Sequence, residues 1–333
     1  MPSDAVTLAH GSGGRASREL LRTIVETAFG ASVTRDDCAR VPNDGGTIAF
    51  TTDTFVVTPR FFPGGDIGSL AVHGTVNDLA VGGAVPKYLS CGFVAEEGLA
   101  LAELATICES MRQAAEAAGV QIVTGDTQVV PRGEADGLYI NTSGVGFIPQ
   151  GRVLEHSSIR PGDVVVINGD IGRHGACVAG MRQDYGLEHN IQSDSANLAP
   201  VCAAMLEAGA VRYLRDATRG GVGAVVTELA NESGCQFTLD ESAIAVQPSV
   251  RALCELLGLS PLHLACEGRL VGVVAAADAD AIVAAMRAVP EGSGSRIIGE
   301  VRAGAEPPVT IKTMLGTETV LSLPAGELLP RIC

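Results

Sequence analysis

No tryptophan occurs in the 333 residues, and only 8 Phe and 4 Tyr accompany that absence. So sparse an aromatic set offers no stacking platform for nucleic-acid bases. Positive charge is short as well. Thirty-eight acidic residues against 23 basic ones leave a net charge of −15, which repels a phosphate backbone at long range. Nucleic acid is excluded as a partner. Lysine is confined to Lys87 and Lys312, and no G-x-x-x-x-G-K-S/T loop occurs, so a P-loop nucleotide site is ruled out. Apolar runs never approach the ~18 residues of a membrane span. The opening MPSDAVTLAHGSGG lacks the basic and apolar regions of a signal peptide. Nine scattered cysteines contain no C-x-x-C pair, which argues against structural zinc and for reduced thiols. A soluble cytoplasmic protein with no membrane partner is expected.

What is present describes a large core. The chain is 46% hydrophobic with 41 glycines and only 18% charged residues, a composition that excludes disorder. Its length suggests about two domains. Strand-like runs fall at Thr47–Thr52, Val120–Thr124, Leu138–Phe147, Asp163–Asn168, Leu270–Ala276 and Ile297–Val301. Helical periodicity links Leu101, Leu104, Ala105, Cys108 and Met111, closed by Gly119, and again Val222, Val225, Val226, Leu229 and Ala230, closed by Gly234. A third helix is expected over Ser69–Val81, carrying Asn77 and Asp78. Strands close enough in sequence to form hairpins favour an α+β (mixed α/β) pair of domains over a doubly wound sheet. The linker is placed in PQGRVLEHSSIRPG, residues 149–162. The resulting division is a glycine-rich loop and helix at 1–35, domains at 36–149 and 150–324, and a tail at 325–333.

Without a P-loop lysine, any triphosphate must be met by metal ions, arginines and backbone N–H groups. Asp37, Asp53, Asp78, Asp126 and Asp216 lie at expected strand ends or beside glycines. If they converge, two bare carboxylates ~4 Å apart repel by roughly 4 kcal/mol at an effective dielectric near 20, so bound cations are required. Hard carboxylate oxygens suit Mg²⁺. Taken singly, each reads as a turn or helix-cap aspartate. Three glycine turns could present N–H groups to phosphate at a helix start: His10-Gly11-Ser12-Gly13-Gly14, Gly220-Gly221-Val222-Gly223 beside Arg219, and Gly169–Gly175. Each alone is equally well explained by turn geometry.

The C-terminal stretch PAGELLPRIC is stiffened by Pro324 and Pro330 and ends in Cys333. The residues beyond Ala325 span up to about 26 Å, enough to enter a cleft on the same molecule or reach a partner. Chance fraying explains such a tail as readily.

Together, HGSGG at 10–14, TTDTFVV at 51–57, FFPGGDIGSLA at 61–71, NDLAVGGA at 77–84, YLSCGF at 88–93, TGDT at 124–127, DATRGGV at 216–222, CEG at 266–268 and PRIC at 330–333 resemble the HypE family, the carbamoyl dehydratases of nickel–iron hydrogenase maturation. That family lies within the AIR synthase-like (PurM-like) superfamily, which includes the selenophosphate synthetases. The resemblance implies ATP and Mg²⁺ as cofactors. Asp37, Asp53, Asp78, Asp126 and Asp216 would hold metal and phosphate. Asn77, Thr218, Arg219, Gly220 and Gly221 would meet the nucleotide, and the 10–14 loop would close over it.

It further implies that a carbamoyltransferase, HypF, loads a carbamoyl group onto Cys333. The tail then enters the ATP site, the amide oxygen is phosphorylated, and loss of a proton and phosphate leaves an S-cyanide for iron held by a HypC–HypD complex. Glu267 matches the family's base, and His10 is a possible assistant with a phosphate-binding or structural role equally open. Gln128 departs from the lysine usual in G-D-T-K, and a glutamine cannot change charge. Homodimerisation through the N-terminal sheets is expected by analogy. Two other readings keep the fold: a small-molecule synthase or kinase of the AIR synthase or selenophosphate synthetase kind, and a scaffold that only docks its tail.

Overall fold

The computed structural model describes residues 15–25, 27, 36–43, 46–182, 190–304, 306–323, 329 and 331–333. The glycine loop at 10–14, with His10, lies outside them.

The N-terminal half is built on strands β1 (Ala39–Asn43), β2 (Gly46–Phe55), β5 (Val85–Glu96), β6 (Gln121–Val130) and β7 (Leu138–Ile148), with a two-residue hairpin of β3 (Phe61–Phe62) and β4 (Gly65–Asp66) beside them. The sheet order is β1-β2-β7-β5-β6. All neighbours are antiparallel except β5 and β6, which run parallel and are joined through the Leu101–Ala118 helix. In β7 the side chains of Leu138, Ile140, Thr142 and Ile148 point to the core while Asn141 and Phe147 face out, the period-two alternation of a half-buried strand.

The Ile67–Val81 helix lies across this sheet. Asp66 starts it by accepting from the N–H groups of Gly68 (2.7 Å) and Ser69 (3.0 Å), while Ser69 Oγ accepts from the Asp66 N–H, a reciprocal cap. Leu70, Val72, Val76 and Leu79 are fully buried because the helix is covered on both sides. Strands β2 and β7 pack on one side, and elements of the C-terminal half on the other. A Cβ on Gly68 would lie 2.5 Å from the carbonyl oxygen of Ile107, so any side chain here would force the two helices apart.

The C-terminal half carries a sheet in the order β14-β13-β10-β12-β8-β11-β9. These are β8 (Val164–Ile167), β9 (Val211–Asp216), β10 (Gln236–Asp240), β11 (Leu270–Val274), β12 (Arg296–Arg302), β13 (Val309–Lys312) and β14 (Glu318–Val320). Phe237, Val271 and Val273 pack with the Gly221–Ser233 helix, whereas Leu214, Val166 and Leu270 pack with the Ala199–Ala208 and Ala279–Arg287 helices.

The structure corrects several local expectations. The strand expected at 120–124 continues to Val130, so Asp126 is mid-strand, and Asp53 likewise lies within β2 instead of ending it. The 101–118 helix buries Ile107, Met111, Ala114 and Ala115, while Leu101 and Cys108 of the expected stripe face outward. Counting from Leu101 misplaces the stripe, because that residue opens the helix and is 83% exposed. By contrast, all five apolar residues expected on the 221–233 helix are buried, and Gly119 and Gly234 close their helices in the left-handed region.

Candidate active site

Four aspartates meet where the two halves join. Asp37 precedes β1, Asp53 lies on β2, Asp78 is in the last turn of the 67–81 helix, and Asp216 ends β9. Carboxylate oxygens of Asp37, Asp78 and Asp216 all lie within 4.8 Å of one another. Asp53 is hydrogen-bonded to Asp78. Thr51 Oγ1 lies 2.7 Å from Asp78 Oδ2 and 2.9 Å from the Asp37 carbonyl, tying β2 to both. Arg215 opposes this charge directly: its Nε is 3.2 Å from Asp37 Oδ1, and its Nη1 is 3.3 Å from Glu228.

Ionised carboxylates this close, and this far from water, hold protons instead. Burial lifts Asp37 to about 6 against the opposing pull of Arg215, with Asp36, Glu228 and Asp53 adding to the rise. Burial first, and then neighbouring aspartates, raise Asp78 and Asp216 well above the ordinary range. Asp53 rises for the same first reason, while Asp78 and Arg219 pull it back. Acceptors that converge and repel in this way, with Asp216 buried and Asp37 and Asp78 half-buried, fit a hard divalent cation. Asp37, Asp78 and Asp216 are the residues that would hold it.

Beside the cluster, the Thr218–Gly221 turn leads from β9 into the 221–233 helix. Gly220 and Gly221 adopt φ of 78° and 61°. A Cβ on Gly221 would meet the Leu264 carbonyl at 2.4 Å, so the turn is pressed against the 262–264 backbone. Just beyond that segment, Glu267 is buried, with Oε1 lacking any hydrogen-bond partner among the described residues. Burial, then the charges of Asp194 and Asp53, push its carboxyl up to about 8, and Arg219 opposes them. The Glu267 N–H donates to Asp194 Oδ1 at 2.9 Å, which fixes the turn.

The end of the chain reaches this place. Residues 331–333 run antiparallel to 56–58: the Val56 N–H donates to Cys333 O at 3.0 Å and the Thr58 N–H to Arg331 O at 3.4 Å. Arg331 anchors the entrance, its Nε donating to the Val56 carbonyl at 3.0 Å and its Nη1 lying 2.5 Å from Asp136 Oδ2, with the guanidinium over the Tyr139 ring. Ile332 is buried against the N-terminal core. The Cys333 thiol is pushed up to about 12, first by burial and then by Glu267, with Asp53 and Asp216 adding and Arg219 opposing. The terminal cysteine therefore lies among the expected site residues.

Not every expected residue joins them. Asp126 is exposed on β6, its carboxylate accepting from its neighbour Thr127 N–H (2.8 Å) and from Gln128 Nε2 (3.2 Å), apart from the Asp37–Asp78–Asp216 group. Asn77 is buried with its amide on backbone: it donates to the carbonyls of Ala196 (3.0 Å) and Glu267 (3.3 Å) and accepts from the Leu198 N–H (2.8 Å). It holds the glutamate's turn against the helix. Residues that sequence reasoning passed over are Arg215, Asp194, His174 and Arg182. Arg215 adjoins the DATRGG motif and could have been found there; the others take their roles from contacts distant in sequence.

The AIR synthase related protein N-terminal domain matches residues 35–148, and the corresponding C-terminal domain matches 160–312. The carbamoyl dehydratase HypE of Rhodobacter capsulatus is 47% identical over 335 residues, covering 99% of this chain and 98% of that one. A crystal structure of a HypE protein in complex with ATP superposes with a TM-score of 0.83 at 43% identity, over 99% of this chain and all of the other. A HypE–HypF complex gives a TM-score of 0.87 at 40% identity, over 92% and 99%. The chain therefore belongs to the AIR synthase-related proteins and, within them, to the HypE family of carbamoyl dehydratases.

Proposed function

We propose that this chain is an ATP-dependent carbamoyl dehydratase that acts on a carboxamide carried by its own Cys333, producing an S-cyanide for the iron of a nickel–iron hydrogenase. The observation that supports this most is the docked tail, which holds the Cys333 sulfur beside Glu267, Arg219, Asp53 and Asp216.

The amide oxygen of the loaded cysteine attacks the γ-phosphorus of ATP, ADP leaves, and one of the two amide N–H protons is released to solvent, giving an O-phosphorylated imidate. Glu267 then takes the remaining N–H proton, the C–O bond breaks, and inorganic phosphate departs with the former amide oxygen, leaving S–C≡N. One water is lost from the carboxamide and its oxygen is accounted for in the phosphate. Mg²⁺ held by Asp37, Asp78 and Asp216 would offset the triphosphate charge. Arg219, whose charge acts on Glu267, Asp53 and Cys333 alike, stabilises negative charge developing there. Glu267 suits a base because its pKa of about 8 lies near neutrality. Gln128 supplies only an amide, so the proton transfer falls to Glu267.

HypF is the expected source of the carbamoyl group and a HypC–HypD complex the expected acceptor of cyanide. A cytosolic setting agrees with nine unpaired cysteines, including Cys333. The chain is further proposed to act as a homodimer. Strand β6 is a ten-residue edge strand with Val123 58% and Val129 68% exposed, and Phe147 and Tyr88 add apolar surface on the same sheet. An edge so long and apolar is a pairing site, and a second copy seated on it would bring Asp126 and Gln128 to the seam.

Mass spectrometry tests the reaction. Loaded with carbamoyl phosphate and HypF, the C-terminal peptide should lose one water only with ATP and Mg²⁺ present. Water loss that persists in Cys333→Ala, or an ATP turnover unaffected by removing residues 327–333, would refute the reading in favour of a small-molecule enzyme.

A further inference from the structure

The glycine run Gly169–Gly175 supplies no carboxylate to the acidic cluster, yet its His174 touches the tail. The ring is fully buried at the start of the Arg173–Arg182 helix, edge-on to Phe62 with centroids 5.3 Å apart. Its Nε2 lies 2.6 Å from the Ile332 carbonyl oxygen and its Nδ1 2.8 Å from Ser193 Oγ.

The chemistry of the partners fixes the tautomer. A carbonyl oxygen can only accept, so Nε2 carries the proton. A neutral imidazole then has Nδ1 as an acceptor, to which the Ser193 hydroxyl donates. Ser193 Oγ is itself held, accepting from the Ser195 N–H at 3.0 Å, and the Ser193 N–H donates to the Pro63 carbonyl at 2.8 Å. The donor that faces Ile332 is thus aimed by a rigid chain. From the same helix, Arg182 donates to the Arg331 carbonyl and, at 2.5 Å, to the Thr58 carbonyl, bridging the tail and the segment it lies on. These two residues meet successive tail carbonyls, at 331 and 332.

Building on the dehydratase reading, we propose that His174, oriented by Ser193 and assisted by Arg182, is the positioning residue that docks the tail, and that the Arg173–Arg182 helix is a receptor for the tail backbone. Among the described residues, the tail atoms bonded by His174 and Arg182 are the main-chain carbonyls at 332 and 331, which do not change with what the sulfur carries. The free thiol, the carboxamide and the cyanide are held in one register, with the Cys333 side chain directed at Glu267.

Alkylation of Cys333 by iodoacetamide, followed by peptide-resolved mass spectrometry on the full, unloaded chain, measures undocking without any turnover. The docked thiol is half-buried and its chain end is pinned to Val56, so undocking speeds its reaction, and the exposed Cys108 serves as internal control. His174→Leu should raise the Cys333 rate roughly tenfold, the factor associated with one buried hydrogen bond, while Cys108 and the buried Cys177 and Cys202 stay unchanged. His174→Gln, which keeps an N–H donor, should restore the slow rate, and Ser193→Ala should raise it by about two- to threefold.

If Leu and Gln variants react alike, the inference is overturned. Should His174→Leu expose Cys202, signalling unfolding, the Ser193→Ala and His174→Gln pair decides: an unchanged Ser193→Ala rate overturns the proposal, and an increase supports it. Should Cys333 behave as expected while the loaded wild-type chain never loses water with ATP and Mg²⁺, the docking role stands and the dehydratase reading fails.

Discussion

Replacing Asp78 by asparagine tests the acidic cluster most directly, because it should make the metal-free protein more stable. The oxygens of Asp37, Asp78 and Asp216 lie within 4.8 Å of one another. Each fully ionised pair at that distance repels by about 3.5 kcal/mol at an effective dielectric near 20. Proton uptake relieves part of this, so about 2 kcal/mol is the expected gain near neutrality. The Thr51 hydroxyl, which donates to the carboxylate now, can donate to the side-chain amide oxygen instead, so little is lost locally. For a chain of this length, a gain of that size raises Tm by roughly 3 °C.

The sign with pH follows from the raised pKa values. Asp37 titrates near 3.8 when unfolded and about 6 when folded, so its cost to stability is absent in acid and complete above about 6. Asp78 and Asp216, raised further, extend that window upward. The advantage of Asp78→Asn should therefore grow as pH rises above the ordinary carboxylate range. Mg²⁺ should stabilise the wild type, more at about pH 8 than pH 6 because protons compete for the same oxygens, and the variant should lose that response. Differential scanning calorimetry with and without Mg²⁺ reads both effects. A metal-free variant less stable than wild type, or one keeping the full Mg²⁺ response, refutes the reasoning.

Glu267→Gln should slow single-turnover dehydration of the loaded chain by about 10²- to 10⁴-fold. In the wild type the rate should climb with pH and level off above about 8, since roughly a tenth of Glu267 is ionised at pH 7; a flat rapid-quench profile would remove it as the base. Gly68→Ala forces a Cβ to 2.5 Å from the Ile107 carbonyl and 2.9 Å from Met111 Cγ. It should cost about 2 kcal/mol in urea titration without changing activity per folded molecule. Glutamates at Val123 and Val129 should turn a dimer into a monomer by light scattering, and a dimer that survives both would place the interface elsewhere.

What the sequence discloses is local. Gly119 and Gly234 announce helix ends because a left-handed residue after the last turn is a one-residue signal. Asp216-Ala217-Thr218-Arg219-Gly220-Gly221 announces a strand-to-helix turn for the same reason. Strands β5 and β9 escape such reading. Pro86 interrupts the first beside an irregularity in its pairing with β7, and VRYLRD hides the second, since Arg212 and Arg215 find their carboxylates at Asp163 and Asp37, far away in sequence. Burial of Glu267 is equally invisible. It depends on Asn77, Asp194 and the chain terminus, all brought to it only by folding. The motifs thus mark which residues matter, while the tail's receptor, spread over Val56, Thr58, Asp136, His174 and Arg182, emerges only in three dimensions.

The docked cysteine also implies a direction for the proposed cycle. Its thiol moves from an ordinary 9.0 to about 12, so a thiolate is disfavoured in the pocket by roughly 4 kcal/mol relative to the thiol. The thiolate is the nucleophile in loading, and that form is expelled from the one place where dehydration can occur. Loading therefore belongs to the undocked tail, where solvent and a transferase can reach the sulfur. Once the sulfur is capped by a carboxamide it has no proton to lose and the electrostatic objection disappears, whereas the carbonyl bonds to His174 and Arg182 remain. The same desolvation that makes Glu267 a base near neutrality thus separates the two half-reactions in space, and an undocked, uncapped tail is the form that any loading partner must meet.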